Sequence, residues 1–222
     1  MKTLPVLLSY AKNLPVDMGH NEFSDSVIKL VDKRDLHQCK FCGWVEQMPS
    51  LRRYVSLTGV YDTSQQQKHV VTSCLICDLS LRITMTSKRE AGRVVYMPEW
   101  SQPQLANLYR AIYLIKRMGS EAQDLVSAIE CLEDHIDERV LEVPRYLGIT
   151  GYSLSSFAEA IAEMPDDVYL KRGQAFSPLR IIPTQNYLEQ IVGEQWDELL
   201  MHYPLESIEH LKEQVKHAAA DL

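Results

Sequence analysis

The sequence predicts an α+β protein, with a small cysteine-stapled head of short strands followed by an α-helical remainder. Three observations predict it. Two Cys-x-x-Cys pairs, Cys39 with Cys42 and Cys74 with Cys77, are separated by 31 residues in the first half of the chain. Around them apolar residues come in short strand-like runs, whereas beyond residue 100 they recur at the helical period. The charge changes at the same place: 13 Lys and Arg against 10 Asp and Glu in residues 1–100, then 10 against 20 in residues 101–222. The expected organisation is a lead-in over 1–22, a head over 23–100, and a helical region over 101–222 packed on or beside the head.

The lead-in has no sustained period, carries Pro5, Pro15 and Gly19, and is expected to run extended over the surface. Phe23, Val27, Ile28, Leu30 and Val31 then recur at helical spacing, with Ser24 or Asn21 as N-cap, so a helix delivers the chain to Cys39. Tyr54, Val55 and Leu57 predict a short strand within Arg52 to Leu57, and Val70 and Val71 predict another within His69 to Thr72. The polar stretch from Asp62 to Lys68 is the loop between them. After Cys77, the residues Leu79, Leu81, Ile83 and Met85 suit a helix or a strand equally. Val94, Val95 and Tyr96 predict a further strand, stopped by Pro98.

Ser101 with Gln104 has the form of a capping box ahead of Leu105, Leu108, Tyr109, Ile112 and Ile115. A second helix carries Leu125, Ile129, Leu132, Ile136 and Val140 and is expected to end near Pro144. A third carries Leu154, Phe157, Ala158 and Ile161 and ends at Pro165. The stretch with Gly173, Pro178 and Pro183 reads as a loop. Thr184 can cap a helix through Tyr187, Leu188, Ile191, Trp196, Leu199 and Leu200, and Ser207 or Pro204 opens a last one with Ile208, Leu211 and Val215.

The composition is that of globular protein: 45% hydrophobic, 24% charged, 9 Gly and 10 Pro in 222 residues. A net charge of −7 argues against a protein that coats nucleic acid, because phosphate neutralisation wants a basic face. No apolar run reaches the roughly 18 residues of a membrane span, and Met1-Lys2-Thr3-Leu4-Pro5 lacks the pattern of a signal peptide. The expected location is cytoplasmic, where thiols stay reduced and paired cysteines read as metal ligands.

Two thiolates separated by two residues can reach one ion through a tight turn, and two such knuckles complete a tetrahedral four-cysteine zinc shell. Cys39, Cys42, Cys74 and Cys77 are the expected ligands of one structural Zn²⁺. A closed thiolate shell leaves no coordination position for a reacting water, so the ion would not be catalytic. Gly43 can take the left-handed conformation that the first knuckle needs. The alternatives are four unpaired core thiols, or a redox pair, for which no βαβ unit is in evidence. Cys131, beside Leu132 on a helix, is expected to be a buried or half-buried thiol.

The run Lys33-Arg34-Asp35-Leu36-His37-Gln38-Cys39-Lys40-Phe41-Cys42-Gly43, followed by His69-Val70-Val71-Thr72-Ser73-Cys74-Leu75-Ile76-Cys77, resembles the zinc-bracketed frame of the HNH nuclease fold. That resemblance implies a small HNH-like ββα zinc head. The nucleases need a general-base His, and ligands for a second metal, on the strand between the knuckles. The stretch from Tyr54 to Asp62 contains no His, and Asp78 stands where the nucleases often place one. His37 and His69 flank the knuckles away from the position of the base. The expectation is a retained scaffold that is not an enzyme.

Val95-Tyr96-Met97-Pro98-Glu99-Trp100-Ser101-Gln102, running into Leu105 and Leu108, resembles the DotN (IcmJ) family of the type IVB Dot/Icm secretion system, over roughly residues 23 to 200. The resemblance implies an adaptor subunit of the coupling complex at the cytoplasmic face of the inner membrane. It would dock on the C-terminal extension of the coupling ATPase, support effector recruitment, and meet the membrane only through that partner. The other class of reading is a zinc-dependent nucleic-acid-binding protein or degenerate nuclease. It would use a basic patch of Lys33, Arg34, Lys40, Arg52 and Arg53, or a second of Arg82, Lys88, Arg89 and Arg93; the overall acidity disfavours stable binding. Trp100, Tyr187, Trp196 and Tyr203 are either interface anchors or core, and Glu130, Glu133, Asp134, Asp137 and Glu138 form a charged helix face.

Overall fold

The computed structural model describes residues 3–9, 11–12, 23–59, 61, 66–201 and 205–222. Asn21, Asp62, Tyr203 and Pro204, and most of the lead-in, lie outside the described residues. In chain order the elements are α1 (Asp25–Asp35), β1 (Arg52–Ser56), β2 (Val70–Cys74), α2 (Leu75–Leu81), α3 (Ile83–Lys88), β3 (Gly92–Tyr96) and α4 (Gln102–Arg117). There follow α5 (Val126–Leu147), α6 (Leu154–Glu163), the single turns α7 (Asp166–Tyr169) and α8 (Arg172–Ala175), β4 (Leu179–Pro183), α9 (Gln185–Met201) and α10 (Leu205–Ala220). The class is therefore α+β, with two small antiparallel sheets among helices.

Local chemistry explains most boundaries. Ser24 caps α1, its hydroxyl accepting from the Val27 N–H, and Ser101 and Gln104 close the capping box that starts α4. Thr184 Oγ1 accepts from the Tyr187 N–H at 3.3 Å at the start of α9. The ambiguous stretch after Cys77 is helical, broken at Arg82 into α2 and α3. Nearly every residue of α2 is buried, which is why its apolar pattern carries no period.

Three expectations need correction. α5 does not stop at Pro144 but runs through it to a left-handed Gly148, φ +68°. The end is closed by Gly148 N donating to the Arg145 carbonyl at 3.3 Å and Ile149 N to the Pro144 carbonyl at 3.0 Å. The loop read over 173–183 contains β4, whose Leu-Arg-Ile-Ile-Pro sequence is strand-like but is masked by its flanking prolines. The lead-in stays exposed or half-buried over 3–7 but is drawn inward beyond: Leu8, Ser9 and Ala11 are buried, and Arg172 Nε donates to the Leu8 carbonyl at 2.9 Å.

β1 pairs with β2 (Arg52 opposite Cys74, Tyr54 opposite Thr72), and β3 pairs with β4 (Val94 opposite Ile181). The second sheet joins strands from either side of residue 100, so one hydrophobic core runs through both. α5 packs on β3, while α2 and α4 pack on β4. At Gly92 an added Cβ would lie 2.8 Å from Thr86 Cγ2 and 3.0 Å from the Ile182 carbonyl, so the strand needs glycine there.

The free edge of β4 is closed by a side chain. Buried Gln102 donates from Nε2 to the Ile181 carbonyl at 2.7 Å and accepts at Oε1 from the Ile181 N–H at 2.8 Å, acting as one residue of a third strand. Gln102→Leu strands both backbone groups without water. It is expected to cost about 2 kcal/mol, a fall in melting temperature of about 4–8 °C in a chain of this size. Thermal unfolding checks this, and an unchanged midpoint would show that Gln102 does not seal the edge.

Candidate metal centre

The first knuckle is shaped before any ion is considered. α1 ends in two successive left-handed residues, Leu36 (φ +53°) and His37 (φ +60°), an arrangement that costs of the order of 1–3 kcal/mol per residue. It is held by Asp35, whose fully buried carboxylate accepts from Arg34 Nε at 2.7 Å, Thr72 N at 2.9 Å and Lys40 Nζ at 3.0 Å. Burial pushes that carboxyl upward, but the hydrogen bonds from Arg34, Thr72 and Lys40 outweigh it and hold the group below its ordinary value. One side chain thus ties the end of α1, the knuckle and β2 together.

The knuckle itself closes with Gly43 N donating to the Cys39 carbonyl at 3.0 Å and Cys39 N donating to the Trp44 carbonyl at 2.8 Å. Gly43 has φ +82°, as a turn of this kind requires. The second knuckle lies where β2 gives way to α2: Cys74 is the N-cap, and its sulfur accepts from the Cys77 N–H at 3.4 Å. The structure therefore brings all four predicted ligands together. Their sulfurs lie within 4.8 Å of one another, and Cys42 Sγ is 3.6 Å from Cys74 Sγ. No disulfide joins them, and a tetrahedral zinc with 2.3 Å bonds sets neighbouring sulfurs about 3.8 Å apart. The cluster fits a four-thiolate metal site.

Its electrostatics are unusual for a protein interior. Cys39, Cys74 and Cys77 are buried, and Cys42 is half-buried. Without an ion such sulfurs must share protons. The thiol of Cys77 is pushed well above its ordinary value by its hydrogen bonds to Cys39, Cys42 and Cys74 together with burial. Cys42 is lowered, chiefly by its hydrogen bond with Cys39. A divalent ion would replace those protons, and the remaining negative charge would meet Arg110. This residue of α4 is 1% exposed, and its Nη2 donates to Cys74 Sγ at 3.0 Å. Burial works against the guanidinium charge, but the cysteines, with Glu46, more than offset it and raise its value further.

Arg110 is itself locked. Its guanidinium lies over the Trp44 ring at 4.2 Å, and Nη1 donates to Asn107 Oδ1 at 2.9 Å. Asn107 Nδ2 donates to the Cys42 carbonyl at 3.3 Å. Trp44 Nε1 donates to Glu46, which is 2% exposed and whose carboxyl burial pushes up. Sequence reasoning missed Arg110, Asn107, Trp44 and Glu46. One signal was available: α4 buries Ala106, Leu114 and Arg110 on one face, and a single Arg inside an otherwise apolar stripe implies a buried anion.

His37 and His69 are half-buried and are not part of the cysteine cluster. Asp78 is buried in a bidentate pair with Arg82, Nε to Oδ1 at 2.8 Å. The basic patches are partly consumed internally: Arg34 and Lys40 hold Asp35, Arg52 meets Asp32 at 3.3 Å, and Arg93 meets Asp137 at 2.8 Å, while Lys33, Lys88 and Arg89 are exposed. Arg53 is buried, donating to the Ser50 and Arg52 carbonyls. Trp196 and Tyr187 belong to the core, and Trp100 is half-buried. Cys131, expected to be at least half-buried, is exposed. It falls one position short of Leu132 on α5, and the 100° step per residue carries it out of the buried stripe of Ile129, Leu132 and Ile136.

No protein-family model matches the chain, and no curated protein matches it.

Cys74→Ser removes a ligand and is expected to abolish metal retention and solubility together. Arg110→Met keeps the volume and the four thiolates but is expected to weaken zinc about 10–100-fold. Competition against a chromophoric chelator checks both, and equal affinity for Arg110→Met would remove the arginine from the site. For Asp35 the folded carboxyl lies below its ordinary 3.8, so its contribution is complete above that pH and fades as the pH falls through the lowered folded value. Asp35→Asn is expected to cost about 3 kcal/mol at pH 7. Urea unfolding should show the gap to wild type closing only below pH 3.8; a constant gap would contradict the assignment.

Proposed function

We propose that the chain is a non-enzymatic adaptor whose one zinc ion is structural, and that it serves as a subunit of a type IVB secretion coupling complex. The observation that carries the adaptor half of this reading is the four-cysteine set itself. Four thiolates would fill a tetrahedral shell and leave no coordination position for a substrate, so an ion there has structural work to do. The order β1, β2, α2, with one knuckle before the strands and the other joining β2 to α2, supports the HNH-like reading of the head.

The nuclease alternative finds less support. Asp78, at the position where a catalytic His is common, is committed to Arg82. The other carboxylate of that stretch, Asp62, lies outside the described residues. The cations that would hold phosphates mostly hold carboxylates or backbone carbonyls of this chain instead.

The partner rests on the resemblance of Val95 to Gln102 and the following helix to the DotN (IcmJ) family. In this reading the chain docks on the C-terminal extension of the coupling ATPase at the cytoplasmic face of the inner membrane and supports effector recruitment. Among the described residues no helix is long and apolar enough to cross a membrane, which suits attachment through a partner.

Affinity purification from the native host, followed by native mass spectrometry, tests the proposal. The expected species contains a coupling-type ATPase and about 65 Da of zinc on this chain. Recovery of the chain alone, or with nucleic acid whose binding falls steeply with salt, would overturn it.

A further inference from the structure

A cavity of about 500 Å³ lies between the lead-in over 3–8, the first turn of α4, α8 and the start of β4. That volume falls in the range of ligand sites. Arg172 and Arg180 both line it, while no Asp or Glu is among the described residues that do. This one-sided charge stands out in a chain where acidic residues outnumber Lys and Arg 30 to 23.

Neither guanidinium has a counter-ion. Arg172 is 8% exposed; its Nε donates to the Leu8 and Ser9 carbonyls at 2.9 and 3.0 Å, and its Nη1 to the Tyr169 carbonyl at 2.9 Å. Its plane lies over the Tyr169 ring at 3.8 Å. Half-buried Arg180 donates from Nε to the Trp100 carbonyl at 2.6 Å and from Nη1 to the Ser177 and Leu179 carbonyls. These partners satisfy hydrogen bonds but carry no net charge, and a buried cation without an anion is costly. Among the described residues the Nη2 group of each arginine has no acceptor. Burial pushes the Arg180 guanidinium below its ordinary value, and Glu99, held by Arg139 at 2.6 Å, offsets this only in part.

Two further features point the same way. The first turn of α4 lies on the cavity at Ser101, Gln102 and Pro103. It brings the positive end of a 16-residue helix, whose Gln102 N–H has no intrahelical acceptor. The rest of the wall is apolar and open to contact, with Val6, Leu7 and Phe176 half-buried. Leu7 is seated on α8 so closely that a Cβ added at Gly173 would lie 2.9 Å from its Cδ2.

We propose that this cavity binds a small amphipathic carboxylate, its head on the Nη2 groups of Arg172 and Arg180 at the start of α4 and its short apolar chain along Val6, Leu7 and Phe176. A planar guanidinium suits a planar carboxylate, whose two oxygens can each accept from one arginine. The inference goes beyond the adaptor reading and requires neither the metal nor a secretion partner.

Isothermal titration calorimetry of the purified full chain in a chloride-poor buffer, with octanoate as the probe, tests this. Octanoate is expected to bind one to one. The uncharged 1-octanol and the cationic octylammonium, which carry the same chain, should each bind about tenfold more weakly or worse. Arg180→Gln should weaken octanoate about tenfold, whereas Arg89→Gln, which removes an exposed charge outside the cavity, should leave it nearly unchanged. Arg172 also anchors the lead-in and is left in place; if Arg180→Gln does not fold, the ligand series on the unchanged chain decides alone. Absence of octanoate binding, equal binding of 1-octanol, or equal losses for the two arginine variants would overturn the inference.

Discussion

A buried guanidinium donating to a cysteine sulfur is the contact on which the rest of this structure depends. Four thiolates around one divalent ion keep two negative charges, and a protein interior does not hold such charge unless something offsets it. Arg110 does so from the middle of α4, with Nη2 on Cys74 Sγ and its plane against Trp44. The contact serves both partners, because an arginine 1% exposed is as costly alone as the thiolates are. Metal centre and helix therefore stand or fall together.

From that point the constraints spread along α4. Asn107 grips the Cys42 carbonyl one turn earlier, and Gln102 at the first turn seals the edge of β4. β4 in turn completes the sheet begun by β3, on which α5 lies. A single helix thus links the cysteine knuckles to the second sheet, and the boundary in charge and periodicity near residue 100 is not a boundary in packing.

Much of this was legible in the sequence because its signals are local. The cysteine spacing reports a turn that two thiolates can share, the Ser101 and Gln104 pair reports a capping box, and the α1 and α4 periods report one buried stripe each. What stayed hidden depends on distant partners. β4 reads as a loop because its prolines obscure a strand whose partner β3 lies far earlier in the chain, Val94 opposite Ile181, a pairing no local pattern records. α2 and α3 are ambiguous because a segment buried on every side has no polar face to mark its period. Glu46 looks like an ordinary surface charge until the thiolates are placed nearby, and Arg110 is marked only by its place in an apolar stripe. Cys131 shows the opposite error, in which one step of helical rotation separates a core position from an exposed one.

A bound ion would fix the two knuckles and α4 as one cooperative unit through Arg110. Hydrogen exchange of the full chain, followed by mass spectrometry before and after treatment with a metal chelator, is the decisive test of that coupling. β1, β2 and the central turns of α4 are expected to lose protection together, while β3 and its contact with α5 open later or to a smaller extent. If α4 keeps its protection while the knuckles open, or if the chain carries no metal to withdraw, the coupling between the centre and the helix does not exist.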